Sequence, residues 1–172
     1  MPKGLKETSS LITIGFQAFE AIPNTFTQVQ VDLQLNPLDN EVFVVYAIDI
    51  DVGPSDAIDS TNTSMSASVS TTSRTTLGDL ADSNVLSVSK RQIRAAGFAP
   101  GGGGVGFSSG SSESPATQLD YLGIIATNNF FIQVEGANNL GTHGCEGKMY
   151  GVRARADASV FSALVQSELL SQ

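Results

Sequence analysis

Few residues in this chain of 172 have the types and spacing to do chemistry. The densest carboxylate group runs Asp49-Ile50-Asp51-Val52-Gly53-Pro54-Ser55-Asp56-Ala57-Ile58-Asp59. Hard cations such as calcium take several carboxylate oxygens converging at a strand end, and Asp49 and Asp51 would share one face of a strand. Asp49, Asp51 and Asp56 are therefore the calcium candidates. Against them, the glycine falls one place early for an EF-hand, the twelfth-position glutamate is missing and Pro54 intervenes, so a solvated acidic loop is the plainer expectation. His143 and Cys145 stand two apart, followed by Glu146. A zinc site takes four ligands, or three and a water, and the chain holds one histidine and one cysteine. That count also removes cupin-type metal sites and any dyad or triad that pairs Cys with a second His. Gly101 to Gly106 lacks the Lys-Ser/Thr of a phosphate-binding loop. Paired acids for glycoside hydrolysis remain open, but with no tryptophan and three tyrosines the platforms of a sugar cleft are scarce. The expectation is a chain with no catalytic residues and no cofactor, not an enzyme.

The cations are equally sparse. Lys90, Arg91 and Arg94 form the one local basic cluster, read as a solvated strand or turn, or as a surface that meets an acidic patch or lipid headgroups. Arg153 and Arg155 share one face of a strand, and Lys3 and Lys6 sit near the start. A formal charge of −8 argues against binding nucleic acid, which depends on clustered Lys and Arg releasing counterions. A single cysteine allows no intrachain disulfide. Met1 to Glu7 lacks the apolar stretch of a signal peptide, and no apolar run is long enough to span a bilayer. Synthesis and retention in the cytoplasm follow, unless the chain leaves inside an assembled particle. Asn62-Thr63-Ser64 fits the glycosylation pattern and without secretion is read as chance.

The elements that must position these residues are strands. From Gln28 to Leu35 the chain alternates, Val29, Val31, Leu33 and Leu35 against Gln28, Gln30, Asp32 and Gln34. Asn36-Pro37-Leu38-Asp39-Asn40 supplies a turn. Glu41 to Val52 is β-branched and aromatic, with Val42, Val44, Tyr46, Ile48 and Ile50 on one face and Phe43, Val45 and Ala47 on the other. Both faces of its first half are apolar, which predicts a strand covered on both sides. Ser64 to Ser70, Phe130 to Glu135 and Lys148 to Ala156 are further strands; Leu11 to Phe16, Val85 to Ser89 and Gln92 to Phe98 are weaker in pattern, and order returns at Tyr121 to Ile125. Pro100 to Pro115 is Gly and Ser, read as one long flexible loop. The period turns helical only at the end: Asp157 caps a helix with Val160, Phe161, Leu164, Val165 and Leu169 recurring on one face.

About eight antiparallel strands with unequal connections predict an all-β sandwich, a single jelly roll with one short C-terminal α-helix. The organisation expected is a flexible arm over residues 1–10, the sandwich over 11–156 and the helix over 157–172. An immunoglobulin-like sandwich is the alternative, although the chain lacks the tryptophan such domains bury. In size, in near-continuous β patterning from Leu11 to Ala156, in the absence of a leader and in the Gly-Ser insert at Pro100 to Pro115, the chain resembles the small single jelly-roll capsid proteins of tailless icosahedral, internal-membrane (sphaerolipovirus-like) viruses. The resemblance implies a virion shell subunit made in the host cytoplasm, whose partners are copies of itself, a second capsid protein and an internal viral membrane. The N-terminal arm and the C-terminal helix would then be clamps between subunits. The alternatives are a phage decoration or fibre-head protein and a carbohydrate-binding module.

Overall fold

A computed structural model describes residues 3–110 and 119–170. The elements follow as β1 (Leu5–Glu7), β2 (Ile12–Phe19), β3 (Thr27–Asp32), β4 (Glu41–Val52), β5 (Thr63–Ser70), β6 (Val85–Arg94), β7 (Val105–Gly110), β8 (Gly123–Ile125), β9 (Asn129–Ala137), β10 (Gly144–Ala156) and α1 (Ala158–Leu170). Eight of the strands pair as one long antiparallel ribbon: β2 with β10, β3 with β9, β4 with β8 and β5 with β6. The ribbon is rolled so that β10 also pairs with β4, and β9 with β5. Two sheets result, β2-β10-β4-β8 and β3-β9-β5-β6, the arrangement of a jelly roll. The β-sandwich and its single C-terminal helix are thus as the alternation predicts.

Between the sheets lies the main core, with Phe16, Phe43, Met65, Ile125, Phe130, Ile132 and Met149. Phe16 and Phe130 meet edge to face across it, ring centroids 5.9 Å apart. β4 reaches this core by changing faces. Val45 pairs with Gly151 and Ala47 with Tyr150, so Tyr46 is an extra residue in a β-bulge. Before it, Phe43 and Val45 point into the sandwich; after it, Ile48, Ile50 and Val52 do. The unbroken alternation expected for β4 is therefore corrected at Tyr46. The consequence is electrostatic, because without the extra residue Asp49 and Asp51 would point into the core, where an unpaired charge is costly.

Val42 and Val44 face outward and belong to a second core with Val152, Ala154 and Ala156. α1 crosses this surface, laying Val160, Phe161, Leu164 and Val165 on it. The first half of β4 is covered on both sides, as its sequence predicts. One helical position differs: Leu169 is 57% exposed and Glu168 turns inward instead.

Three further expectations are revised. Leu5–Glu7, within the arm expected to be flexible, pairs with Ala154–Ala156 of β10, and the Gly4 carbonyl accepts from the Asp157 N–H at 3.0 Å. The two chain ends thus clasp one another on their own sheet. Gly4 makes this approach with a left-handed φ of +83°, and a Cβ there would stand 2.9 Å from Val160. Val85 to Arg94 is one continuous strand, not two. Within the Gly-Ser segment expected to be a loop, Val105–Gly110 forms β7 against β6; residues 100–104 belong to no strand, and residues 111–115 lie outside the described residues.

Candidate functional site

The calcium candidates do not converge. Asp49 and Asp51 stand exposed on the outer face of the first sheet, as their spacing predicts once the bulge has turned them outward. Asp51 pairs with Arg91, Oδ1 to guanidinium nitrogen 2.7 Å. Asp56 lies beyond the strand and is spent on loops: Oδ1 is 3.1 Å from His143 Nε2, and Oδ2 accepts the N–H groups of Leu140 at 2.8 Å and Gly141 at 3.2 Å. The His143 contact, then those two N–H donors, hold the Asp56 carboxyl below its usual pKa. Among the described residues no three His, Cys, Asp or Glu side chains gather as a metal would need. His143, Cys145 and Glu146 likewise part company, because alternation sends Cys145 into the core and Glu146 outward. Burial pushes the Cys145 thiol up to about 11, the wrong direction for a nucleophile.

Around Asp56, the connections β2–β3, β4–β5 and β9–β10 are tied into one polar knot. Asn24 and Asn139 exchange bonds: Asn24 Nδ2 donates to the Asn139 carbonyl at 2.9 Å, and Asn139 N–H to Asn24 Oδ1 at 2.7 Å. Buried Glu20 accepts from Gly136 N–H at 2.7 Å and from His143 N–H at 3.1 Å. Its own N–H donates to the His143 carbonyl at 2.9 Å. These bonds satisfy backbone groups that a buried loop would otherwise leave unpaired. The cluster fixes loops; it does not present a reactive atom.

The exposed half of the first sheet, where α1 does not reach, is an open groove of about 750 Å³. Cross-strand register builds it in rows: Gly15, Lys148 and Asp49 lie abreast on β2, β10 and β4, and Gln17, Glu146 and Asp51 form the next row. Tyr150 closes one end of the lining, and Phe16 and Val31 add apolar surface. Neighbouring strands stand about 4.8 Å apart, so Lys148 sits between an open glycine and a carboxylate. This is a mixed-charge contact surface.

The second sheet ends in a different surface. β7 is exposed on both faces along nearly its whole length, with Val105 46% and Phe107 50% exposed. The basic cluster divides there: Arg91 turns to Asp51, while Arg94 lies over the Phe107 ring, 6.0 Å from its centroid. Arg153 and Arg155 share a face of β10, as their spacing predicts, and hold the β3–β4 connection through the Leu33 carbonyl at 3.1 Å and Asp39 at 2.8 Å.

Sequence reasoning missed the polar groups that carry most structure. Glu168 anchors α1, its Oε1 accepting from Ala126 N–H at 2.8 Å and its Oε2 from Thr127 N–H at 3.0 Å. Gln133 is fully buried beside the serines of β5; it accepts from Ser68 at 2.8 Å and donates to Ser70 at 2.7 Å and Gln28 at 3.0 Å. Arg74 locks the overlying loop through Asn84 and Asp82. A lone acid or amide among apolar neighbours was the available signal, and it names no partner. Compared with known proteins, the chain matches no family model and no curated protein sequence.

Proposed function

We propose that the chain is a structural virion protein, a capsid shell subunit that assembles through its β-sandwich surface and terminal segments and performs no chemistry. The observation that carries this reading is the edge at β7, whose outer side no strand among the described residues pairs. An edge strand offers a row of unpaired N–H and C=O groups, and monomeric proteins blunt such edges with charge, proline or bulges. Val105-Gly106-Phe107-Ser108-Ser109-Gly110 has no charge and no proline, and pairs with β6 without a register shift. It lies outside the eight-strand ribbon, so the jelly roll does not require it. Jelly rolls serve viral shells, lectins and cupins, so the fold alone leaves the choice among them to the surface.

Copies of the chain are its first partners; a second capsid protein and an internal viral membrane are the further ones. No helix among the described residues is long and apolar enough to cross a membrane, so the membrane role proposed is contact. Negative-stain microscopy of the purified chain across salt and calcium concentrations tests the proposal. Regular shells or rings support it; discrete trimers would point to a decoration or fibre-head protein. A second reading, a carbohydrate-binding module, is favoured by the groove holding Tyr150 beside Gln17, Lys148 and Glu146. Glycan-array binding by a monomer would replace the shell reading with that one.

A further inference from the structure

We infer that copies of this chain meet head to tail, with the outer surface of β6 and β7 of one copy seated in the groove over β2, β10 and β4 of the next. The inference rests on the assembly reading above and names the contact it uses.

Charge points to it first. The chain has nine Lys and Arg against seventeen Asp and Glu, so an unspent cation is scarce. Arg74, Arg91 and Arg155 are paired with Asp82, Asp51 and Asp39, and Arg153 is held by the Leu33 carbonyl. Lys90 and Arg94 are exposed on the opposite face of β6 from Arg91 and form no ion pair among the described residues. Beside them stands Phe107, half exposed under the Arg94 guanidinium. Arginine and aromatic residues are both enriched at protein–protein interfaces, and arginine also at their hot spots. A two-fold contact of this surface with itself would set Lys90 and Arg94 against their own copies, which like charges oppose.

The groove complements it. Asp49 and Glu146 are exposed carboxylates on adjacent strands; Lys148, in register with Asp49, is the one cation in the groove and forms no ion pair among the described residues, so the carboxylates outnumber it two to one. Its floor is open at Gly15, where an added Cβ would meet nothing within 4 Å, and about 750 Å³ is free above it. That space admits an aromatic ring, with Tyr150 in its lining. Two different surfaces in contact make a heterologous interface, which closes into a ring or runs on as an open filament and does not stop at a dimer.

Paired charge reversals in the full chain test this. One variant carries Lys90→Glu and Arg94→Glu, the other Asp49→Lys and Glu146→Lys; all four positions are exposed, and circular dichroism checks folding. Sedimentation velocity should show each variant alone needing about tenfold or more concentration to assemble, since about 1.4 kcal/mol is a factor of ten. An equimolar mixture should assemble again, because each acidic β6 then finds a basic groove and each basic β6 an acidic one. Variants that assemble like the wild type, or folded variants whose mixture stays dissociated while the wild type assembles, would overturn the contact and leave the assembly reading standing. A wild-type chain that never assembles would overturn both.

Discussion

Replacing Glu168 by alanine removes the carboxylate that ties the C-terminal helix to the sheet. Both oxygens are used, on Ala126 N–H at 2.8 Å and Thr127 N–H at 3.0 Å, and the residue is 8% exposed. The Ala126 N–H is buried, so losing its acceptor costs about 1–3 kcal/mol, and the half-buried Thr127 bond adds about 0.5–1.5 kcal/mol. Burial raises the Glu168 pKa against the pull of those donors, so some of that cost is returned at pH 7 by no longer burying a charge. A net loss of about 1–4 kcal/mol lowers Tm by about 2–16 °C in a chain of this size. Thermal unfolding with amide exchange at Ala126 and Thr127 measures it. A Tm within a degree of wild type, with both amides still protected, would refute the anchoring role.

pH adds a second check on the same residue. A raised folded-state pKa means that stability from Glu168 is fully present below the ordinary carboxylate pKa and is lost as pH rises through the folded value. Glu168→Gln cannot titrate, so its stability should fall less than wild type across that window in urea melts; parallel curves would count against the burial argument. Asp56 works in the opposite sense. Its pKa is lowered, so its contribution is present above the ordinary carboxylate pKa and is lost as pH falls through the folded value; Asp56→Asn should flatten the acid limb of the stability curve. Gly151→Ala should cost about 1–3 kcal/mol in denaturant melts, because a Cβ there meets the Val44 carbonyl and the Phe43 ring beside the bulge. Gln133→Leu should cost about 1–3 kcal/mol and loosen the loop above Ser68 and Ser70, seen as faster amide exchange at Gly78, whose N–H donates to Ser68.

The sandwich was legible because period-two alternation reports which side of a strand is dry. Val29 and Val31, and Met65, Ala67 and Val69, point where their spacing says. Leu33 and Leu35 stay buried after β3 has ended. Alternation fails where one residue is added: Tyr46 shifts the phase of β4, and nothing local in a β-branched run marks the place. β7 was illegible for a different reason, since Gly and Ser say little about burial and this strand is formed by pairing to β6. Serine is usually exposed, yet Ser68 and Ser70 of β5 are kept dry by the loop above them and by Gln133 from β9. The calcium candidates illustrate a further limit, because spacing placed Asp49 and Asp51 on one face but said nothing of Arg91 and His143, which claim Asp51 and Asp56.

The claim beneath all of this is that the outside of the sandwich is built for contact with further subunits. Light scattering of the purified wild-type chain over a hundredfold concentration range tests it most directly. Mass should climb to a closed, regular multiple of the 17.9 kDa subunit, and high salt, which shortens the Debye length to about 3 Å at 1 M, should push the onset upward. A mass fixed at one subunit throughout would contradict it.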